Sequence, residues 1–438
     1  MPYATINYLF SKGIQQNDHA LSKAEISNRI RSSRKDIIEL ARELIKTPSE
    51  NPPGDQTRIA AVVSEYLKDH GVSVETYERE KGRINIIGRM GRGSGKTLLM
   101  NGHMDTVPVG DPSRWSFDPF EGKLVDGILY GRGAADMKGG LAAMLAAQAT
   151  LVGFEEKLEG SMVTMAVPDE ETGGKFGTEY LLKGVGIRGN ACIVAEPSLL
   201  RFCRIGEKGW CLVRIVAKGR AAHGSLPMLG KNAILMICEA IRASSQISSI
   251  KANVPEELIE VVGSSKRVLM EETGNDRCGD ALDHFTINYG TIKGGTKANV
   301  VADLCSLEVD IRIPLGGTAD FAFKTLEDLV KEEVPEAELE RISHSDPTYT
   351  KPGEESIGIL RRNASAILGF EPRLFIQQSA TDARFFRLEG IPAYSFGPGD
   401  FIRQSHVIDE RVGADDIVKA AEIYALTAFD YLSMTGKG

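Results

Sequence analysis

Hydrophobic residues recur at two spacings in the first half of the chain, and they predict an alternation of helices and strands. Apolar positions follow helical spacing across residues 23–47 and again across residues 56–70. Residues 72–77 and 84–88 are predicted to be strands. Because this alternation continues to about Pro197, we expect an α/β layer fold.

Three runs in the same half are apolar almost throughout, which is typical of strands that are buried on both faces. They cover residues 97–100, 161–167 and 191–195. Between the first two runs, residues 141–147 are nearly all strong helix formers, and their small side chains suit close packing on a sheet. We therefore expect a buried sheet covered by a tightly packed helix.

The pattern changes near Gly206, after which strands alternate between apolar and polar residues. The elements predicted in this region are strands at 210–217, 285–292 and 304–313 and helices at 232–244 and 321–334. Their order indicates a separate α+β domain of roughly residues 207–345. Residues 1–206 and 346–438 have α/β character, and we predict that they form one domain interrupted by the smaller one.

Three stretches do not fit this plan. Residues 1–23 are expected to be a loosely held arm, and residues 251–283 are predicted to be a loop-rich insertion; neither suggests a function. Residues 91–97 look like a phosphate-binding loop, but Met90 stands where that motif requires glycine, and the segment leads into a strand instead of a helix. We interpret residues 91–97 as a hairpin turn.

The composition of the 438-residue chain excludes several classes of partner. A net charge of −8 argues against nucleic acid and acidic membrane surfaces. The apolar runs fall short of the ~18–20 residues of a membrane span, and the N-terminal sequence does not resemble a secretory signal. The six cysteines form no CxxC pair, which favours reduced thiols in a cytoplasmic protein.

Residues of the kinds that bind metals occur where predicted strands end and in one glycine-rich turn. These residues are His103, Asp136, Glu171, Glu196 and His406. In open α/β sheets, functional sites gather beyond the carboxyl ends of the strands. Two histidines and three carboxylates suit a two-metal site in which one carboxylate bridges ions about 3.5–4 Å apart. Glu170 is left beside a metal ligand, in a place suited to a general base.

The motifs HMDTVP, GRGAADMKGG, DEETGG, AEP, AAHGSLP and SH follow one another in this order along the chain. From about Ile37 onward, the sequence resembles the co-catalytic zinc aminoacylase and carboxypeptidase family. Members of that family include acetylornithine deacetylase, succinyl-diaminopimelate desuccinylase, aminoacylase-1 and bacterial glutamate carboxypeptidase. The resemblance implies a zinc-hydrolase (phosphorylase/hydrolase-like) mixed-sheet catalytic domain, interrupted by a smaller α+β lid domain that often forms a dimer contact.

The resemblance also implies a role for each matching residue. Asp136 would bridge two metal ions, with His103 and Glu196 completing one site and Glu171 and His406 the other. Asp105 would orient His103, and Glu170 would be the general base. His223 would be a lid histidine that reaches a partner subunit, and Asn299 and Arg312 would bind a substrate carboxylate. Gly397 and Gly399 would line the pocket. Zinc is the expected metal, and cobalt or manganese also suits such ligands.

Simpler interpretations exist for several of these residues. Asp105 would also serve as a turn cap, and His223 as a loop histidine without catalytic duty. Arg312 would also serve as an ion-pair partner of Asp310, on the same alternating strand. A histidine at position 103 or 406 would, by itself, more often be a satisfied polar residue than a metal ligand.

The expected function is metal-dependent hydrolysis of the amide bond in N-acyl amino acids, such as acetylornithine or succinyl-diaminopimelate. The alternative is a carboxypeptidase or dipeptidase with the same dinuclear site. A third hypothesis is a non-catalytic scaffold of the same fold, for which loss of Glu170 or of metal ligands would be the signature; all are present. The sequence does not choose among acyl groups and dipeptides.

Overall fold

The computed structural model describes residues 3–93 and 95–433, with side chains described from Asp18 onward. The helices of this part of the chain are α1 (Tyr3–Ser32), α2 (Arg34–Lys46), α3 (Thr57–Asp69), α4 (Gly139–Val152), α5 (Thr178–Tyr180), α6 (Ala233–Ser244), α7 (Ile259–Thr273), α8 (Arg277–Asp280), α9 (Ala319–Glu333), α10 (Glu355–Leu368), α11 (Ala383–Leu388) and α12 (Ala414–Ser433).

The strands of the same part are β1 (Ser73–Glu78), β2 (Ile84–Gly91), β3 (Thr97–His103), β4 (Lys123–Val125), β5 (Ile128–Tyr130), β6 (Ser161–Val167), β7 (Ala191–Val194), β8 (Phe202–Glu207), β9 (Gly209–Lys218), β10 (Thr286–Gly294), β11 (Leu304–Ile313), β12 (Glu338–Ser345), β13 (Thr348–Tyr349), β14 (Arg373–Gln377), β15 (Ala393–Ser395) and β16 (Arg411–Gly413). The predicted α/β character is confirmed.

The chain forms two compact units. Unit 1 contains the described residues up to Arg204, residues 353–373 and those from Phe385 onward, and unit 2 contains residues 205–352 and 374–384. Unit 2 is therefore an insertion in unit 1, and its shorter piece comes from a later part of the chain.

A mixed sheet forms the centre of unit 1, with its strands in the order β1-β2-β6-β3-β7-β15-β8. The four central strands β6, β3, β7 and β15 are parallel, and β2 joins them antiparallel to β6. Parallel strands are covered on both faces, which explains the continuous apolar runs in β3, β6 and β7. A smaller sheet of β16, β5 and β4 also belongs to this unit.

Helix α4 packs on this sheet as its small side chains suggest. Its segment Leu141–Ala147 is fully or almost fully buried against β3, β6 and the long helix α12. At its first turn, a Cβ on Gly140 would lie only 1.9 Å from the carbonyl oxygen of Ala195, so only glycine allows this approach. The expectation of close helix–sheet packing is confirmed.

The N-terminal residues form part of a long helix instead of a loosely held arm. Helix α1 packs on α12, with Ile26 and Ile30 fully buried in the contact. The Nζ of Lys23 donates to Asp430 Oδ2 at 2.6 Å and to Asn363 Oδ1 at 2.8 Å. The expectation of a loosely held arm is thus wrong for residues 18–23, because partners more than 300 residues away hold this part of the helix and local sequence does not show them.

Replacing Ile30 with alanine is expected to lower the free energy of unfolding by about 2–5 kcal/mol, because the substitution opens a cavity in a buried contact. Leu21→Ala on the same helix is the matched control, since Leu21 is 63% exposed and its loss is expected to change stability by no more than about 0.5 kcal/mol. Urea unfolding of both variants measures the difference. Equal midpoints would contradict the packing of α1.

Unit 2 contains a four-stranded antiparallel sheet in the order β10-β11-β9-β12. Along β9 and β11 every second residue is buried, and these residues form the core with side chains from α6 and α9. The side chain of Asn232 caps α6 by accepting a hydrogen bond from the backbone N–H of Ile234 at 3.0 Å. The predicted strands and helices of this region are confirmed.

The predicted loop-rich insertion at residues 251–283 is wrong. This stretch contains α7 and α8, and α7 buries Val261, Val262, Ser265, Val268 and Leu269. Those positions follow helical spacing, but Ser265 and the charged residues between them hide the apolar face. The hydroxyl of Ser265 accepts a hydrogen bond from the backbone N–H of Ile376 at 3.0 Å. This hydrogen bond allows a polar side chain to be buried.

The prediction of a hairpin between β2 and β3 is also wrong, because β6 lies between these two strands. The connection therefore crosses the end of β6. Among the described helices, none is long and apolar enough to cross a membrane. None of the six cysteines, all of which lie in the described residues, forms a disulfide.

Candidate metal centre

The predicted metal ligands lie beyond the carboxyl ends of neighbouring parallel strands. His103 is the last residue of β3, Glu171 follows β6 in a short turn, and Glu196 comes two residues after β7. His406 lies in the loop that connects β15 with β16. These four residues therefore lie at one edge of the sheet, because β6, β3, β7 and β15 are adjacent and parallel; their role as metal ligands stays a prediction.

Asp136 lies between the two histidines and directs one carboxylate oxygen toward each of them. Its Oδ1 is 3.1 Å from Nε2 of His103, and its Oδ2 is 3.5 Å from Nε2 of His406. Each histidine faces a second carboxylate as well: Glu196 Oε1 is 3.6 Å from His103 Nε2, and Glu171 Oε2 is 3.1 Å from His406 Nε2. The arrangement has two halves that share Asp136.

The ring of His103 is oriented by Asp105. Its Nδ1 lies 2.9 Å from the backbone carbonyl oxygen of Asp105, and a carbonyl oxygen only accepts hydrogen bonds, so Nδ1 carries the hydrogen. Nε2 then faces Asp136 and Glu196, which is the tautomer that a metal ligand requires. The carboxylate of Asp105 is farther from the ring, with Oδ1 3.5 Å from Nδ1.

The carboxylate of Asp105 instead holds the turn that carries Glu170 and Glu171. It accepts hydrogen bonds from the backbone N–H groups of both glutamates at 3.2 Å. Nδ2 of Asn51 donates a further hydrogen bond to it at 2.9 Å. One buried aspartate thus fixes both the imidazole of His103 and the turn after β6. A carboxylate oxygen of Glu170 lies within 4.8 Å of ligand atoms on His103 and Glu196.

Electrostatics in the cluster favour the binding of cations. Burial and the nearby charge of Asp136 raise the pKa of Glu196 to about 7. A hydrogen bond with Glu171 raises the pKa of His406 to about 9. Burial opposes a charge on His103, but Asp136 and the other carboxylates around it raise its pKa well above the usual value. Glu196 and the two histidines thus retain protons that a metal ion would displace.

The donor set fits two divalent ions. Imidazole nitrogens and carboxylate oxygens are ligands that zinc, cobalt and manganese accept, and the ligand atoms of His103, Asp136 and Glu171 lie within 4.8 Å of one another. A second acidic group, formed by Asp280, Asp283 and His284 in unit 2, already has a cation, because Nζ of Lys266 lies 2.9 Å from Asp283 and 3.3 Å from Asp280.

Gly397 and Gly399 allow close backbone contacts in the loop after β15. A Cβ on Gly397 would lie 2.5 Å from the carbonyl oxygen of Ala195, and one on Gly399 would lie 3.1 Å from Ala135. Gly399 also has a φ of +91°, which favours glycine. The two glycines therefore hold this loop against the backbone beside Glu196 and Asp136; their contact with a substrate remains a prediction.

The other predicted residues belong to unit 2, where the structure brings two of them together. The His223 segment pairs with Val300, and the backbone N–H of Gly224 donates to the carbonyl oxygen of Asn299 at 2.8 Å. Arg312 lies toward the other end of β11, about 26 Å along the strand from its first residue.

Two of these side chains have partners within unit 2. Arg312 is paired with Asp310 at 2.9 Å, the alternative that the sequence left open. Nδ1 of His223 lies 2.7 Å from the hydroxyl of Ser225, and the ring of His223 is exposed.

Sequence reasoning missed three residues around the cluster. Asn51 supports Asp105, and Arg204 places Nη2 3.5 Å from Oε2 of Glu196. Glu410 accepts a hydrogen bond from the backbone N–H of Asp136 at 2.9 Å. Glu410 follows His406 by only four residues, but the backbone groups that it binds leave no signal in the sequence.

Comparisons with known proteins identify similar sequences and structures. The sequence matches the profile of Peptidase family M20/M25/M40 over residues 99–430. It is 30% identical over 412 residues to a succinyl-diaminopimelate desuccinylase of Cereibacter sphaeroides, covering 91% of this chain and 99% of the relative. It is 32% identical over 412 residues to an acetylornithine deacetylase of Vibrio campbellii, covering 90% and 98%.

Among solved structures, the M20 family metallo-carboxypeptidase Sso-CP2 of Sulfolobus solfataricus superimposes with a TM-score of 0.78. The sequences are 21% identical, and the match covers 91% of this chain and 99% of that one. At this identity, the likeness is one of fold.

Proposed function

Because the chain belongs to Peptidase family M20/M25/M40, we propose that it is a metal-dependent hydrolase that cleaves the amide bond of N-acyl amino acids. The observation that carries this proposal is the shared carboxylate of Asp136, which directs one oxygen toward His103 and the other toward His406. The desuccinylase and deacetylase relatives support N-acyl amino acids of this kind as the substrate class.

We propose that the cluster holds two divalent ions, with zinc as the expected metal and cobalt or manganese as substitutes. His103, Asp136 and Glu196 would hold one ion, and His406, Asp136 and Glu171 the other. When bound, such ions polarise the substrate carbonyl and lower the pKa of the attacking water. Asp105 keeps the Nε2 atom of His103 directed at its ion through the hydrogen bond to Nδ1.

The proton transfers are assigned to Glu170. Its turn is held by the hydrogen bond from its backbone N–H to Asp105, and its carboxylate lies near His103 and Glu196. In the proposed reaction, Glu170 takes the proton of the attacking water and then passes it to the departing nitrogen. The turn therefore keeps the base at a fixed distance from the cluster during both transfers.

We propose that unit 1 is the catalytic domain and that unit 2 is a lid and dimerisation domain. The lid residues His223 and Asn299 would bind the substrate carbonyl or carboxylate, and Arg312 would bind a carboxylate after leaving Asp310. The proposed assembly is a homodimer in which His223 serves the partner subunit. The six cysteines, none of which is in a disulfide, support a cytoplasmic location.

Removal of the metals is expected to abolish hydrolysis, and reloading with zinc or cobalt is expected to restore it. The chelated and reloaded protein would be assayed against acetylornithine, succinyl-diaminopimelate and simple dipeptides. Turnover of an N-acyl amino acid at least tenfold above that of dipeptides supports the proposal. Preference for dipeptides would favour a carboxypeptidase or dipeptidase, and full activity after chelation would refute the metal-dependent mechanism.

A further inference from the structure

A buried ion pair joins two parts of unit 1 that lie far apart in sequence. Nη1 of Arg132 is 2.7 Å from Oε2 of Glu410, and the side chains are 3% and 1% exposed. Burying two charges costs several kcal/mol for each ion unless hydrogen bonds satisfy both groups. The partners of this pair therefore indicate what it does.

The carboxylate of Glu410 accepts four hydrogen bonds, two on each oxygen. Oε2 accepts from Arg132 and from the backbone N–H of Gly133 at 3.0 Å, and Oε1 accepts from the backbone N–H groups of Ala135 and Asp136 at 2.9 Å. The glycine-rich turn that presents Asp136 is thus wrapped around one buried carboxylate. The turn lacks regular structure there, since Asp136 and Met137 have non-helical backbone angles.

Arg132 extends the same contact to the segments that carry the two histidines. Its Nη1 donates to the carbonyl oxygen of Val407 at 3.2 Å, next to His406. Its Nη2 donates to the carbonyl oxygen of Pro108 at 3.4 Å, in the segment that follows His103. The guanidinium also lies 5.0 Å over the ring of Trp115.

We propose that Arg132 and Glu410 are positioning residues that fix the spacing of His103, Asp136 and His406 before any metal binds. This inference rests on the proposed dinuclear site. In this proposal, Arg132 and Glu410 act through the ligand-bearing segments and contact neither substrate nor metal. Their effect is to hold three ligand-bearing segments in one geometry, so that the metals meet a preformed site.

Glu410→Gln tests the proposal, because the amide keeps the shape of the carboxylate but replaces one acceptor oxygen with a donor. Two of the four donors then lose their acceptor. We expect Co²⁺ to bind the variant about 10–100-fold more weakly than the wild type, which is the usual effect of losing a group that orients metal ligands. The visible spectrum of bound cobalt measures both the affinity and the ligand geometry.

Glu422→Gln is the matched control. Glu422 is also a buried glutamate of unit 1, with its side chain 4% exposed, and it receives two hydrogen bonds from Arg31 at 2.8 and 3.0 Å. We expect this variant to lose stability and to bind Co²⁺ as the wild type does. Wild-type affinity in Glu410→Gln, or equal weakening in both variants, would overturn the inference. Absence of cobalt binding by the wild type would instead refute the proposed function.

Two further measurements serve if Glu410→Gln does not fold. Arg132→Lys keeps the positive charge but loses the forked contacts to Val407 and Pro108, and it is expected to weaken cobalt binding in the same way. In the metal-free wild type, the amide hydrogens of Gly133, Ala135 and Asp136 are expected to exchange as slowly as those of the central strands. Fast exchange of these three amides would overturn the inference without any variant.

Discussion

Replacing Glu170 with glutamine is expected to lower kcat by about 10²–10⁴-fold while the protein keeps both metal ions. Glutamine has the shape of glutamate but does not take a proton from water. The turn is expected to stay in place, because the backbone N–H of residue 170 donates to Asp105 and the substitution keeps this hydrogen bond. Steady-state kinetics and metal analysis of the same sample measure the two effects, and Glu170→Ala is expected to give the same result.

Glu179→Gln is the control for this prediction. Glu179 lies nine residues later in the chain and pairs with Lys183 at 2.9 Å on the surface of unit 1. We expect its kcat to match that of the wild type. Retained turnover in Glu170→Gln would remove Glu170 from the mechanism, even if the metal cluster is correct.

Asp136→Asn is expected to reduce metal content from two ions to at most one per chain and to lower turnover by about 10³-fold or more. The amide offers one good ligand oxygen and carries no charge, so the two halves of the cluster no longer share an anion. Loss of several kcal/mol of transition-state stabilisation corresponds to that fall in rate. Elemental analysis and cobalt titration measure the stoichiometry.

The exposed residue Asp111 provides the control, because its side chain accepts hydrogen bonds from the backbone N–H and the hydroxyl of Ser113 on the surface. Asp111→Asn is expected to keep both ions and full turnover. The two active-site variants are also expected to differ from each other. Glu170→Gln keeps both metal ions but loses proton transfer, whereas Asp136→Asn loses metal ions. Two ions bound to Asp136→Asn with normal turnover would contradict the shared-carboxylate arrangement.

The part of the site predictable from sequence is the part that depends on strands. Continuous apolar runs mark buried parallel strands, and polar residues at their ends must meet at one edge of the sheet. His103, Glu171 and Glu196 could be placed by this argument alone. His406 follows its strand by a long loop, so the ordered motifs were needed to connect it with the others.

Features held by distant partners escaped prediction. Glu410 accepts hydrogen bonds from backbone N–H groups about 275 residues earlier in the chain, and the sequence does not show where backbone groups lie. Helix α1 is held by side chains of α12 and α10. The spacing in α7 was present, but a buried serine broke the apolar pattern. The roles of His223, Asn299 and Arg312 stay predictions, because these residues were singled out by resemblance to a family and not by a strand pattern.

The position of β15 has a consequence for the order in which a newly made chain matures. This strand inserts between β7 and β8, although about 200 residues separate it from both, and the loop after it carries His406. Until β15 and the loop after it have joined the rest of unit 1, β7 has one unpaired edge and the cluster lacks His406. A nascent chain that has not yet reached His406 is therefore unable to form the proposed half-site of His406, Asp136 and Glu171.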